Sequence, residues 1–265
     1  MVFARFSQIF AIMLTVFVLF LPGKQAMAQT TDLQEIRDRG VVRVGAVHAP
    51  PYYIKDPATN EWSGLVPDIA KLIFASINVE VEYVETQWGT AVAGLQANQF
   101  DIIGAYNATP ERAVAIAFTR PIGFLYTGVV ILDGDDSAWS TWEAINAANV
   151  RIAGVDGAAT TRAAERILTD TDWVRTQSND AMLLELESRR ADAILSNHPT
   201  LLGYVRTRGR GTMILPEPRL EQPTGFGLRK ANPSDLRDWL NVAIAYFEAN
   251  GELEAVWQKY LPTGN

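Results

Sequence analysis

The sequence contains no cysteine. That excludes a disulfide, a lipid anchored on a thiol and a thiolate metal site. Histidine is nearly absent too, with only His48 and His198. Both read as loop residues, His48 near a possible pocket mouth, and neither as a general base. No G-x-S-x-G, H-E-x-x-H or Walker A run occurs, so the common hydrolase, zinc-protease and phosphate-loop signatures are missing. Gly209-Arg-Gly211 and Gly225-Phe-Gly227 lack the third glycine of a dinucleotide fingerprint. Asp and Glu are plentiful, but their spacing singles out no catalytic pair. Asp133-Gly-Asp-Asp136 reads as a solvated turn, because the calcium-loop spacing is absent. A basic cluster is also lacking: 23 Lys and Arg stand against 30 Asp and Glu, net −7. An acidic chain of this kind is a poor partner for nucleic acid or anionic lipid.

Long apolar runs are confined to the first 28 residues. Arg5 precedes the run Ile9 to Leu21, then come Pro22-Gly23 and Ala26-Met27-Ala28. A basic start, a short apolar core and a small-residue site predict a signal peptide over residues 1–28, cleaved after Ala28. The run is shorter than the roughly 20 residues that a membrane span needs. Loss of Arg5 and Lys24 takes the net charge from −7 to −9. The expectation is an exported, soluble, disulfide-free protein in a Gram-negative periplasm. Residues 29–265 exceed a typical single core, so two lobes are expected. Seven Trp and eleven Phe suit a folded core plus an aromatic-lined pocket.

Strand and helix patterns alternate along the chain. Leu33 to Arg39 predicts a helix, Val41 to Ala46 a strand, and His48 to Glu61 a loop. Leu65 to Ala75 predicts a helix, Val79 to Val84 a strand with alternating pattern, and Trp88 to Asn98 a helix. Asp101-Ile-Ile and Leu125 to Leu132 follow as strands. A second series runs through the strand Val150 to Val155, a small-residue turn Asp156 to Thr161, and helices Thr161 to Leu168 and Asp180 to Arg190. Ala191 to Leu195 is a strand feeding a loop, Ser196 to Pro199. Two helices, about 233–250 and 251–260, end the chain. This order implies α/β lobes with mostly parallel sheets, whose ligands gather beyond the strand C-termini.

The segment Thr109-Pro-Glu-Arg112 carries the most chemistry. Thr109 reads as a helix N-cap and Pro110 as the first helical position. Glu111 suits the positive end of the helix dipole, whereas Arg112 opposes it. Either Arg112 is a solvated surface cation, or an anion is held beside it with help from backbone N–H groups. The turn Gly157-Ala-Ala-Thr160 in the second series offers close backbone approach and a hydroxyl in the same way. Two such turns in successive βα units point to a cleft. Tyr52, stiffened by Pro50-Pro51, Tyr53 and Trp88 are candidate aromatic walls.

These pieces together resemble a family 3 extracellular solute-binding protein, the amino-acid-type receptor of ABC importers. The matching residues are Gly40 to Gly45, Ala49-Pro-Pro-Tyr52, Gly64 to Asp68, Thr109 to Arg112 with Phe118-Thr-Arg-Pro121, Asp192 to Leu195, Gly225 to Lys230, and the tail Asn250-Gly-Glu-Leu with Trp257-Gln-Lys-Tyr260. The resemblance implies an α/β, two-lobed periplasmic-binding (type II, Venus-flytrap) fold with two hinge crossings. Lobe 1 would take residues 30–126 and 220–265, and lobe 2 residues 127–219. It implies closure around a ligand, docking on an inner-membrane ABC permease, a monomer, and neither metal nor cofactor. Arg112 would clasp the ligand carboxylate, assisted by Ala105, Asn107 and Thr160, and Tyr52 and Trp88 would enclose the side chain. Three departures stand out. Where the family carries an Asp for the ligand ammonium, this chain has Asn197, and an amide lacks the charge. The family's serine or threonine turn is thinned to Ala159-Thr160. The Asp101 to Thr109 spacing is also about one residue short.

The carboxylate half of the site is therefore expected to persist and the ammonium half to be weakened. The ligand could lack a free ammonium, have its amine read by Asp156, or place a quaternary ammonium between Tyr52 and Trp88. A transport receptor is the main expectation. An enzyme resembling the periplasmic cyclohexadienyl dehydratases, which also lack that Asp, and a receptor reporting to a membrane sensor are the alternatives.

Overall fold

The computed structural model describes residues 31–134, 136–232 and 234–261; the predicted signal segment 1–28 lies outside them. Among the described residues no helix is long and apolar enough to cross a membrane.

The first sheet half is built on local pattern. Helix α1 (Asp32–Arg39) is capped by Thr31 and ends at Gly40 in the left-handed region. It leads into β1 (Val41–Ala46). The predicted loop 48–61 contains a short hairpin strand, β2 (Ile54–Lys55), paired with β3 (Trp62–Ser63). Helix α2 (Leu65–Ala75) buries Leu65, Val66, Ile69, Ile73 and Phe74, the i, i+4 stripe that an amphipathic helix needs. β4 (Glu80–Glu85) pairs parallel with β1, and β1 pairs parallel with β5 (Ile102–Asn107). Helix α3 (Ala91–Gln96) connects β4 to β5. Trp88 was expected to open that helix; it sits instead in the preceding turn. The helical periodicity is real but starts only once Ala91 can bury against the core.

β5 runs four residues beyond the predicted Asp101-Ile-Ile. It pairs antiparallel with β12 (Glu221–Leu228), and the register shifts so that Gly104 and Ala105 together oppose Phe226. Ala105 adopts φ 50° there, a conformation that L-residues enter rarely, and bulges re-aim side chains in this way. Helix α4 (Pro110–Ala115) and β6 (Ala117–Phe118) follow.

β7 (Gly123–Ile131) joins the two sheet halves. Its residues 123–126 pair with β12, and its residues 127–131 pair with β10 (Ala193–Asn197). The second half continues through β8 (Arg151–Val155) to β9 (Asp172–Thr176), both parallel, giving the overall order β4-β1-β5-β12-β7-β10-β8-β9. β11 (Thr212–Ile214) adds to β7. Helices α5 (Trp142–Ala147), α6 (Ala159–Glu165), α7 (Asn179–Glu187) and α8 (His198–Arg208) connect these strands. α6 and α7 start earlier than expected. α8 replaces the predicted loop after β10: Asn197 caps it, and Pro199 fits in its first turn, where a missing N–H costs nothing. β9 and β12 have too little alternation to be read from sequence.

The apolar residues sort by half. One cluster joins Ile36, Val42, Leu65, Phe74 and Ile102 with Phe226, Leu240 and Phe247 of the C-terminal segment, where α9 (Asp235–Ala249) and α10 (Glu252–Tyr260) pack. Two further clusters flank the second half. Val129, Ile131, Ile152 and Leu195 lie in one, and Val130, Ala153, Val155 and Ile194 in the other. That alternation is the period of two of strands buried on both faces. Trp88 packs against clusters of both halves.

Candidate ligand-binding site

β5 ends at Asn107, and two residues later Thr109 turns the chain into α4. The Thr109 hydroxyl accepts from the Arg112 N–H at 3.3 Å, with Pro110 in the first helical turn. The short α4 projects Arg112 inward instead of outward. Only 7% of Arg112 is exposed. Its Nη1 donates to the Asn107 carbonyl and its Nη2 to the Gly157 carbonyl, both at 3.0 Å. The guanidinium lies 3.8 Å from the centre of the Tyr106 ring. Burial holds it below the ordinary arginine value, and Arg162 pushes the same way; Tyr106 and Glu111 oppose them. Among the described residues no carboxylate forms an ion pair with Arg112. A cation this deep with only neutral partners is costly.

Gly157 belongs to the turn between β8 and α6. Its φ of 74° and its place beside Gly89 leave no room for a side chain: a Cβ there would stand 2.5 Å from the Gly89 Cα. The turns at Gly89 and Gly157 therefore meet backbone to backbone, and the Arg112 to Gly157 bond spans the two sheet halves. At α6 the N-cap is Ala158, which makes no side-chain cap bond.

Asn197 ends β10 and caps α8. Its Oδ1 accepts from the Thr200 N–H at 3.2 Å and from the Tyr52 hydroxyl at 2.9 Å. Burial pushes the Tyr52 hydroxyl well above its ordinary value, so Tyr52 stays a neutral donor. Trp88 stacks on Tyr106 at 6.0 Å and 17°, and the Tyr106 hydroxyl donates to the Trp88 carbonyl.

One pocket gathers Tyr52, Trp88, Ala105, Asn107 and Arg112 from the first half and Thr160 and Asn197 from the second. Ala49, Val155, Ala158, Ala159, Leu195 and three polar residues not anticipated from sequence, Asn179, Ser196 and Thr200, complete it. Asn179 is the first residue of α7, behind the Ser178 cap, and is buried; the Ser-Asn pair before a helical run was its only local signal. The Asn107 Nδ2 is buried without a hydrogen-bond partner. Asp156, considered as an amine reader, is exposed and does not line the pocket.

The two histidines lie elsewhere. His48 accepts from the Lys55 N–H, with its Nε2 4.0 Å from Asp180. His198 opens α8, and its Nδ1 accepts from the Tyr126 N–H. Burial lowers its pKa. On the rim, Arg166 pairs with Glu111. Among the described residues no group of three or more His, Asp or Glu could hold a metal ion.

A buried cation facing a pocket between two α/β halves fits a two-lobed solute-binding architecture. Residues 42–263 match the model of the bacterial extracellular solute-binding proteins, family 3, and the chain belongs to that family. A probable amino-acid ABC transporter periplasmic-binding protein of Sinorhizobium fredii (strain NBRC 101917 / NGR234) is 23% identical, over 91% of this chain and 83% of the relative. The histidine-binding periplasmic protein of Escherichia coli (strain K12) is 24% identical over 83% of this chain and 86% of its own. Among solved structures, the ancestral amino acid-binding protein AncCDT-1, a precursor of cyclohexadienyl dehydratase, superposes with a TM-score of 0.79 at 26% identity, covering 87% of this chain and 99% of its own. The fold is the two-lobed periplasmic-binding fold.

Proposed function

We propose that this chain is the periplasmic receptor of an ABC importer, and that it holds a small carboxylate-bearing solute around Arg112. That solute is an amino acid or an amine-modified or amine-free relative. The observation that carries this reading is Arg112 itself, more than nine-tenths buried with only carbonyls and a ring for partners. A ligand carboxylate would take its two N–H groups as a parallel pair and restore charge balance. Ala105, Asn107 and Thr160 border that position, Tyr52 and Trp88 wall the remainder, and Asn197 faces the group beside the carboxylate.

Lobe 1 is assigned to residues 30–126 and 220–265, and lobe 2 to residues 127–219. The change of partner within β7, from β12 to β10, supports a hinge crossing at residues 126 and 127. Ligand entry would favour the closed arrangement, which docks as a monomer on the permease. Among the described residues the pocket lining includes no Asp, Glu, His, Lys or Cys. The groups that commonly move protons near neutral pH are therefore not at hand, which favours a receptor over a dehydratase-like enzyme.

The test is calorimetric titration of the purified protein, stripped of carried-over ligand by unfolding and refolding. The panel holds L-amino acids, matched carboxylates, betaines, prephenate and arogenate. Saturable binding of a carboxylate is expected. Steady heat from prephenate or arogenate turnover moves the protein to the enzyme class, and failure of every carboxylate to bind removes the reading.

A further inference from the structure

We infer that the solute is a 2-oxo or 2-hydroxy acid and that Asn197 selects it against the corresponding α-amino acid. The inference rests on the proposal that Arg112 holds a ligand carboxylate.

The chemistry of Asn197 is fixed by its neighbours. The Thr200 backbone N–H can only donate, so the Asn197 oxygen must face it. The Tyr52 hydroxyl donates to the same oxygen. Both lone pairs of that oxygen are thus in use, and the group left for a ligand is Nδ2, a donor. No protein acceptor for it occurs among the described residues. A ligand ammonium also brings only donors, so the two groups repel. An oxo or hydroxyl oxygen in the same place accepts the Asn197 N–H.

The rest of the pocket agrees. Its second amide, Asn107, also has a buried Nδ2 with no partner, and the residue lines the same pocket. With the N–H groups of Arg112 beyond the two bonded to carbonyls, the lining carries three sets of donors that lack a protein acceptor. Helices α7 and α8 begin at the opposite wall, so their dipoles favour negative over positive charge there. Charge bookkeeping gives the same answer: an amine-free carboxylate neutralises Arg112, whereas a zwitterionic amino acid leaves one buried positive charge unmatched. The nearest acids do not repair this. Asp156 is exposed outside the lining, and Asp180 is exposed and faces His48.

The test uses sets of ligands that share one carbon skeleton and differ only at C2: oxo, hydroxy, amino and unsubstituted. Aliphatic, branched and aromatic skeletons and a betaine are included, and dissociation constants are read by calorimetry. For the skeleton that binds best, the oxo or hydroxy acid is expected to bind about tenfold or more tighter than the amino acid. The N197D variant keeps an oxygen for Thr200 and Tyr52 and replaces only the donor by a charged acceptor. It is expected to reverse the order, losing about tenfold for the oxo acid and gaining about tenfold for the amino acid. A melting curve checks that the variant is folded; if it is not, the wild-type series decides alone. An amino acid or betaine bound by the wild type as tightly as the oxo and hydroxy acids overturns the inference and leaves the carboxylate reading standing. A folded N197D with unchanged preference overturns it as well. Failure of every acid to bind removes both.

Discussion

The wall of the pocket built on β5 and α4 and the wall built on β8, β10 and their helices use different means. The first carries a full charge and the aromatic rings. Its short helix is capped by its own Thr109, so local hydrogen bonds are satisfied and Arg112 faces the pocket. The second carries no charge. It is assembled from the starts of α6, α7 and α8, and its polar groups, Thr160, Asn179, Ser196, Asn197 and Thr200, are neutral. In the proposed reading, one wall supplies binding strength through a buried cation and the other discriminates by which atoms are left over once its helices are capped, so that the contrast between Arg112 and Asn197 is the centre of the proposed site.

The largest effect is expected from removing the charged wall. Arg112→Ala should weaken binding of the preferred carboxylate by roughly 2–5 kcal/mol, the cost of leaving a desolvated charge unmatched. Calorimetry measures it, and unchanged affinity would take Arg112 out of the site. Next comes the place where the walls touch. Gly157→Ala puts a Cβ against Gly89 and into a left-handed backbone position. Affinity should fall by about 1–3 kcal/mol as the turns are pushed apart. An affinity equal to wild type would mean that these turns need not meet for binding.

Two smaller effects separate local from long-range support. Thr109→Ala removes the cap of α4 and should cost about 1 kcal/mol of stability in denaturant titration. Ala158→Ser at the uncapped start of α6 should add a few tenths of a kcal/mol by the same mechanism. If both variants move stability equally and in the same direction, the asymmetry between the two turns is not one of capping. A pH-dependent effect concerns His198, which ties α8 to β7. Its Nδ1 must be unprotonated to accept from Tyr126, and burial lowers its pKa from the ordinary 6.5. The unfolded chain then binds the proton first, so this contribution to stability is whole above about pH 6.5 and declines as the pH falls below it. The loss should reach at most about 1 kcal/mol by pH 5.5, given partial solvent screening. His198→Gln should flatten that part of the profile, and an unchanged slope would assign the titration to other groups.

Much of the first half was legible because its signals are local. The apolar stripe of Leu65 to Ala75 and the Thr-Pro-Glu-Arg sequence each act within one or two turns of chain. β7 and β8 were legible as apolar runs. Trp88 was misplaced by one turn because helical periodicity does not say where burial begins. The loop after β10 was misread because Pro199 looks like a breaker, although the first turn of a helix tolerates it. β12 carries Pro223 and two glycines, and it is a strand only because β5 and β7 lie on either side of it.

For the site, the residues alone left Arg112 either a solvated cation or the holder of an anion, and the family resemblance implied its carboxylate role and the departure at Asn197. The residue types themselves are carried by the chain wherever it goes. Tertiary structure decided that Arg112 is buried with no counter-ion among the described residues, that Asp156 is exposed outside the lining, and that Asn179, Ser196 and Thr200 join it. It also decided which end of the Asn197 amide is free. The reason is physical: a hydrogen-bonding group is known by its type, but what it can offer a ligand depends on which partners from distant segments have already taken its lone pairs and protons.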